Sequence, residues 1–192
     1  MKEEKTQITE SIELIRNTID LSRKRLQRDA AVPFLIWGWT TVAVSLAVWY
    51  ALYATGNGHW NRLWLSIPVI GGCGLWLCLR AKTGKTLTRT WVDRVMSCLW
   101  MTLGVVAFAY SCLAPFMQIH ILYTVLLLMG IGTAVSGLVM KSWLLIVAGF
   151  MMAMLFAPVT LLVSGVESIL IFAAAFFVTM VVPGHIFHAQ NK

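Results

Sequence analysis

The chain has 192 residues, 59% of them hydrophobic and only 12% charged, with a formal net charge of +7. A soluble domain carries about a quarter charged residues and gives its helices a polar outer face. The stretch from Met96 to Pro183 holds just two charged side chains, Lys141 and Glu167, which excludes a water-soluble domain and points to a lipid bilayer.

The chain opens Met-Lys-Glu-Glu-Lys, and its first apolar run starts near Phe34. That is unlike a secretory leader, so the first span is expected to act as an uncleaved anchor. Before it, residues 6–30 read as an amphipathic helix. Ile8, Ile12, Ile15, Ile19, Ser22 and Leu26 are spaced alternately four and three apart, a narrow heptad seam with one polar break, widened by Leu14 and Leu21. Glu3, Glu4, Glu10 and Glu13 come early, and Arg23, Lys24, Arg25 and Arg28 come late, an order that suits the helix dipole. Three roles stay open for this helix: lying on the membrane with its basic end on anionic headgroups, self-association as a short coiled coil, or docking a cytoplasmic protein.

Six apolar segments follow, at about 34–54, 62–80, 95–115, 119–140, 142–163 and 166–184. At about 1.5 Å per residue each reaches roughly the 30 Å of a hydrocarbon core, and helices satisfy their backbone internally. The expected architecture is therefore all-α: a cytoplasmic amphipathic helix (1–33), a six-helix transmembrane bundle (34–184) and a short tail (185–192). Pro33 is expected at the start of the first span, and Pro115 and Pro183 are expected to stop theirs. Fourteen of the fifteen Lys and Arg residues fall in the N-terminal segment, the connection after the second segment, Lys141 and Lys192; Arg62 alone falls on the other side. The positive-inside rule then puts both termini in the cytoplasm. The opposite connections, roughly 55–61, 116–118 and 164–165, are too short for an extracellular ligand-binding domain.

The charge distribution excludes nucleic acid as a partner, since the cations flank apolar spans. Gly84-Lys85-Thr86 is not a phosphate loop, because Leu79 stands where that motif needs glycine. His185 and His188, three apart after Pro183-Gly184, lack an acidic or cysteine companion and read as tail histidines rather than metal ligands. Cys73, Cys78, Cys98 and Cys112 form neither a disulfide framework nor a zinc motif. No acidic or basic residue falls at mid-span, which argues against carboxylate-coupled transport and against intramembrane acid–base catalysis. No cofactor and no catalytic residue is expected. Pro68, Gly71 and Gly72 mark a helix break or a cavity in the second segment. Gly132 and Ser136 form a small-x-x-x-small face for a neighbouring helix.

The junction Arg28-Asp29-Ala30-Ala31-Val32-Pro33-Phe34-Leu35-Ile36-Trp37-Gly38-Trp39 follows the amphipathic helix. It resembles uncharacterised small bacterial inner-membrane proteins in which a helical N-terminus runs into a Phe-x-x-Trp-Gly start of the first span. The resemblance covers about the first fifth of the chain and implies a bacterial inner membrane and an accessory or regulatory role. The resulting expectation is a non-enzymatic anchor. It would present the apolar face of Ile8, Ile12, Ile15 and Ile19 and the charge of Arg23, Lys24, Arg25 and Arg28 to a cytoplasmic partner or to lipid. The alternative is a small permease for an uncharged or amphiphilic solute, with a cavity beside Pro68 and Gly72.

Overall fold

The computed structural model describes residues 2–81, 91–114, 116–117 and 119–189, with the side chains of 2–9, 15, 18–29, 79, 81 and 91 outside the description. Every regular element among the described residues is helical. Helix α1 runs from Lys2 to Thr55. A 3-10 helix, Gly58–Leu65, leads into α2, Ser66–Ala81. Then come α3, Trp91–Leu113, α4, Ile121–Met140, α5, Trp143–Leu162, and α6, Ser168–Ala189. Among the described residues five stretches are long and apolar enough to cross a membrane: Ala30–Thr55 of α1, Val92–Leu113 of α3, and all of α4, α5 and α6.

The first difference from expectation is at Pro33. Helix α1 passes through it without a break. Proline there removes one donor, the N–H that would reach the Asp29 carbonyl. Packing on either side offsets the loss: Ala31 and Phe34 are buried, and Phe34 meets Trp100 of α3 edge-on at 5.8 Å. The second difference is in the segment expected to be a continuous α-helix over 62–80. Its first part is 3-10, with Asn57 capping the turn by accepting from the His59 N–H at 3.0 Å. The α-helical part begins only at Ser66, whose hydroxyl donates to the Leu63 carbonyl at 2.6 Å. Starting there puts Pro68 in the first turn, where no N–H is needed. Helix α2 is about 24 Å long on its own, short of the hydrocarbon core.

Helices α5 and α6 each widen at mid-length into a π turn, Met151–Phe156 and Phe177–Val181. The Ala157 N–H reaches back to Met152 O and the Val182 N–H to Phe177 O, five residues in each case. Each π turn stands just before a proline, Pro158 or Pro183. In an α-helix the proline ring strikes the carbonyl four residues earlier, and the wider turn moves that carbonyl aside. Pro183 therefore does not end its helix as expected: α6 continues to Ala189.

In space α1 lies between α2 and α6, α4 pairs with α5 along its length, and α3 rests against α4. The α4–α5 hairpin is set by small residues. A Cβ added at Gly130 would sit 2.7 Å from the Ala153 N, and one at Gly137 would sit 2.6 Å from the Ile146 N. The chain reverses at Lys141 in the left-handed conformation (φ 50°, ψ 40°), and the Ser142 N–H closes the helix end on the Gly137 carbonyl at 2.8 Å. Leu126, Leu145, Met152, Val48 and Val181 are wholly enclosed and mark the core, where α1, α4, α5 and α6 meet. Helix α3 is peripheral: 11% of its most apolar window is buried, against 39–56% for the other four.

Candidate functional site

The residues singled out from sequence divide into two groups, at the two ends of what α1 does. Ile8, Ile15, Ile19, Arg23, Lys24, Arg25 and Arg28 all fall on the helical backbone of α1, and their side chains lie outside the described residues. Ile12 is described and is 60% exposed, as is Leu14 at 67%. Residues 10–14, 16 and 17 form an exposed run within the same helix that, farther on, becomes the first span.

That span is clamped on two sides. On one, Gly71 of α2 is filled by the Trp37 indole, with a built Cβ only 2.8 Å from its ring, and Gly74 abuts Ile36. On the other, Gly38 meets Val181 and Gly184 meets Leu35 of α1, at 2.8 and 2.9 Å from built Cβ atoms. As α1 descends from 38 to 35, α6 advances from 181 to 184, so the two helices are antiparallel. The N-terminal part of α1 and the C-terminus of α6 thus emerge at the same end of the bundle. Near that end the Trp39 indole N–H donates to His185 Nε2 at 3.2 Å, with Phe177 edge-on to the same indole at 5.9 Å. His185, read as a tail residue from sequence, belongs to the α1–α6 contact; no sequence spacing relates residues 39 and 185.

Of the suspected break residues, Gly71 is a packing position against Trp37, Gly72 faces open space, and Pro68 is exposed. The Gly132 and Ser136 face meets α3: the Trp100 indole N–H donates to Ser136 Oγ at 3.2 Å, and a Cβ on Gly132 would strike Leu103. Three other enclosed hydroxyls bond within their own helices. Ser45, Thr133 and Thr179 donate to Thr41, Met129 and Ala175 carbonyls at 2.6, 2.8 and 2.6 Å. A hydroxyl bonded in this way needs no solute to satisfy it. Thr179 Oγ1 also lies 3.3 Å from Met152 Sδ, where the two π turns touch.

The four cysteines are free thiols. Among the described residues no three His, Cys, Asp or Glu side chains come together as a metal site. A shallow hollow on the outer face of α3, lined by Cys98, Met101, Thr102, Val105 and Val106, is apolar and formed by one helix alone. Comparison with protein families, with curated proteins and with solved structures finds no match.

Proposed function

We propose that this chain is a non-enzymatic multi-pass membrane protein of the bacterial inner membrane, an accessory or regulatory anchor that presents the N-terminal part of α1 to a cytoplasmic protein. The observation that carries this reading is the unbroken run of α1 from Lys2 to Thr55. A helix continuous with its span leaves the membrane along the span's direction instead of lying in the interface. Counting back from Ala30 at 1.5 Å per residue, Arg28 and Arg23 stand about 3 and 10 Å out, and Ile19 and Ile8 about 16 and 33 Å out. The headgroup zone adds only about 5–8 Å on each side of the hydrocarbon core. The basic residues therefore stay within a Debye length of anionic lipid, where each is worth about 1 kcal/mol. The isoleucines lie beyond lipid and need a protein to cover them.

In this reading the segment Gly58–Ala81 is a sixth span. Two observations support it. The 3-10 turn and α2 together measure about 40 Å at 2.0 and 1.5 Å per residue, and they track α1 and α6 in depth, with Gly71 on Trp37 and Trp64 edge-on to Phe172 at 5.4 Å. Parity is the stronger one: ends emerging on one side of the bundle require an even number of crossings. The positive-inside rule then assigns that side to the cytoplasm. The filling of Gly71 by Trp37 gives no support to a solute path at Pro68 and Gly72.

The test is a spin label at Ile12→Cys in the full chain in lipid vesicles, with Cys73, Cys78, Cys98 and Cys112 replaced by alanine. Collisions with a water-soluble nickel chelate are expected to dominate over collisions with oxygen. The reverse, a label at membrane depth, would return the helix to the bilayer surface and end this proposal.

A further inference from the structure

We infer that the protein covering the isoleucine face is a second copy of this chain, joined through a short parallel coiled coil in register. This deepens the preceding proposal and rests on it. With Ile12 at position a, the heptad places Ile19 and Leu26 at a, and Ile8, Ile15 and Ser22 at d. These six positions repeat every 3.5 residues, the period of a seam between two similar helices, and Leu14 and Leu21 extend the apolar face beside it at c. Ile12, at an a position, is 60% exposed in the single chain.

The unbroken helix supplies the reason for choosing a copy over another protein. Every copy inserts in the same direction, so the protruding helices are parallel, and their spans hold them level. Register, the hardest property for a coiled coil of about three heptads to fix, is set by the anchor. Confinement to one membrane also raises effective concentration, the condition under which a seam too short to associate in water can close. The flanking charges fit. In a parallel pair, g residues face the e residues of the following heptad: Thr18 faces Arg23, and Arg25 faces Ala30. No two like charges are opposed across these positions. An antiparallel pair would bring the e-position Arg16 and Arg23 columns together, and common anchorage forbids that arrangement. Ser22 at d is a polar break whose mismatch with isoleucine disfavours slipped registers.

Disulfide crosslinking of the full chain in membranes tests this, in the background with the four native cysteines replaced by alanine. Dimer is expected at Ile12→Cys and Ile19→Cys, and at least about tenfold slower at Asn17→Cys, which lies at the outward f position. Single-molecule photobleaching of the labelled chain in vesicles gives the second readout. The double variant Ile12→Glu/Ile19→Glu is expected to weaken association at least about 100-fold, equivalent to about 2.8 kcal/mol, while its insertion is unchanged. Equal crosslinking at the three positions, or association unaltered by the two glutamates, would overturn the pairing. A monomer whose Ile12→Cys label is aqueous would also overturn it and leave the anchor reading standing. A label at membrane depth would overturn both.

Discussion

Gly149→Ala tests the packing argument at its tightest point. A built Cβ there falls against the Ala134 N, 2.6 Å from the Gly130 O and 2.7 Å from the Ala134 Cα. All three are backbone atoms, so no rotamer change can make room. Bringing the Gly130 contact out to about 3.4 Å moves α4 and α5 apart by roughly 0.8 Å, a gap that forfeits a quarter to a half of each van der Waals contact across the hairpin. Overpacking of this kind costs about 1–3 kcal/mol. Alanine's better helix propensity returns about 0.5–1 kcal/mol. The control is Gly104→Ala in α3, where a Cβ meets nothing within 4 Å and only the propensity gain remains.

Thermal or denaturant unfolding in lipid bicelles reads both variants. Gly104→Ala is expected to match the parent or exceed it. Gly149→Ala is expected to melt about 2–12 °C below Gly104→Ala, taking the overpacking cost of about 1–3 kcal/mol at roughly 2–4 °C per kcal/mol for a chain of this size. A Gly149→Ala protein as stable as Gly104→Ala would show that the α4–α5 contact is looser than its geometry and that small residues do not set it.

Three further outcomes follow from named contacts. Lys141→Gly removes a β-carbon from a left-handed position (φ 50°) and should stabilise the same transition by about 1 kcal/mol; no gain would mean that the lysine side chain contributes as much as its strain costs. Thr179→Val keeps the volume and deletes a hydroxyl whose bond is to its own helix, to the Ala175 carbonyl, so the loss should stay under about 1 kcal/mol; a larger loss in the unfolding assay would make the Met152 contact the important one. Replacing Arg23, Lys24, Arg25 and Arg28 together by glutamine should abolish the salt-dependent enrichment of anionic lipid around the protein in mixed-lipid nanodiscs, since each cation contributes about 1 kcal/mol. Unchanged enrichment would place those residues away from the headgroups.

What the sequence made legible was what depends on local composition. The apolar windows of α1, α3, α4, α5 and α6 announce themselves, because a bilayer demands length and hydropathy and little else. Gly132 and Ser136 were legible as a helix face for the same reason: a four-residue spacing is a local property. What stayed hidden depends on pairing. Nothing near residue 39 predicts a histidine 146 positions on, and the Trp37 indole finds Gly71 only because α2 runs back along α1. Prolines misled in a consistent way. Pro33 and Pro183 were read as boundaries, since an isolated helix loses a donor and gains a clash there. In the folded chain Pro183 is instead preceded by a π turn, as Pro158 is in α5, and Pro33 is held by Ala31 and Phe34 against neighbours. Packing within the bundle can carry a helix through a proline that water would break. The consequence reaches the functional end of the molecule. If Pro33 had ended a helix, residues 6–30 would have been free to fold onto the bilayer, and a basic amphipathic segment would have had every reason to do so. On the proposed reading the continuity of α1 carries the same residues away from the lipid, and their isoleucines call for a protein partner.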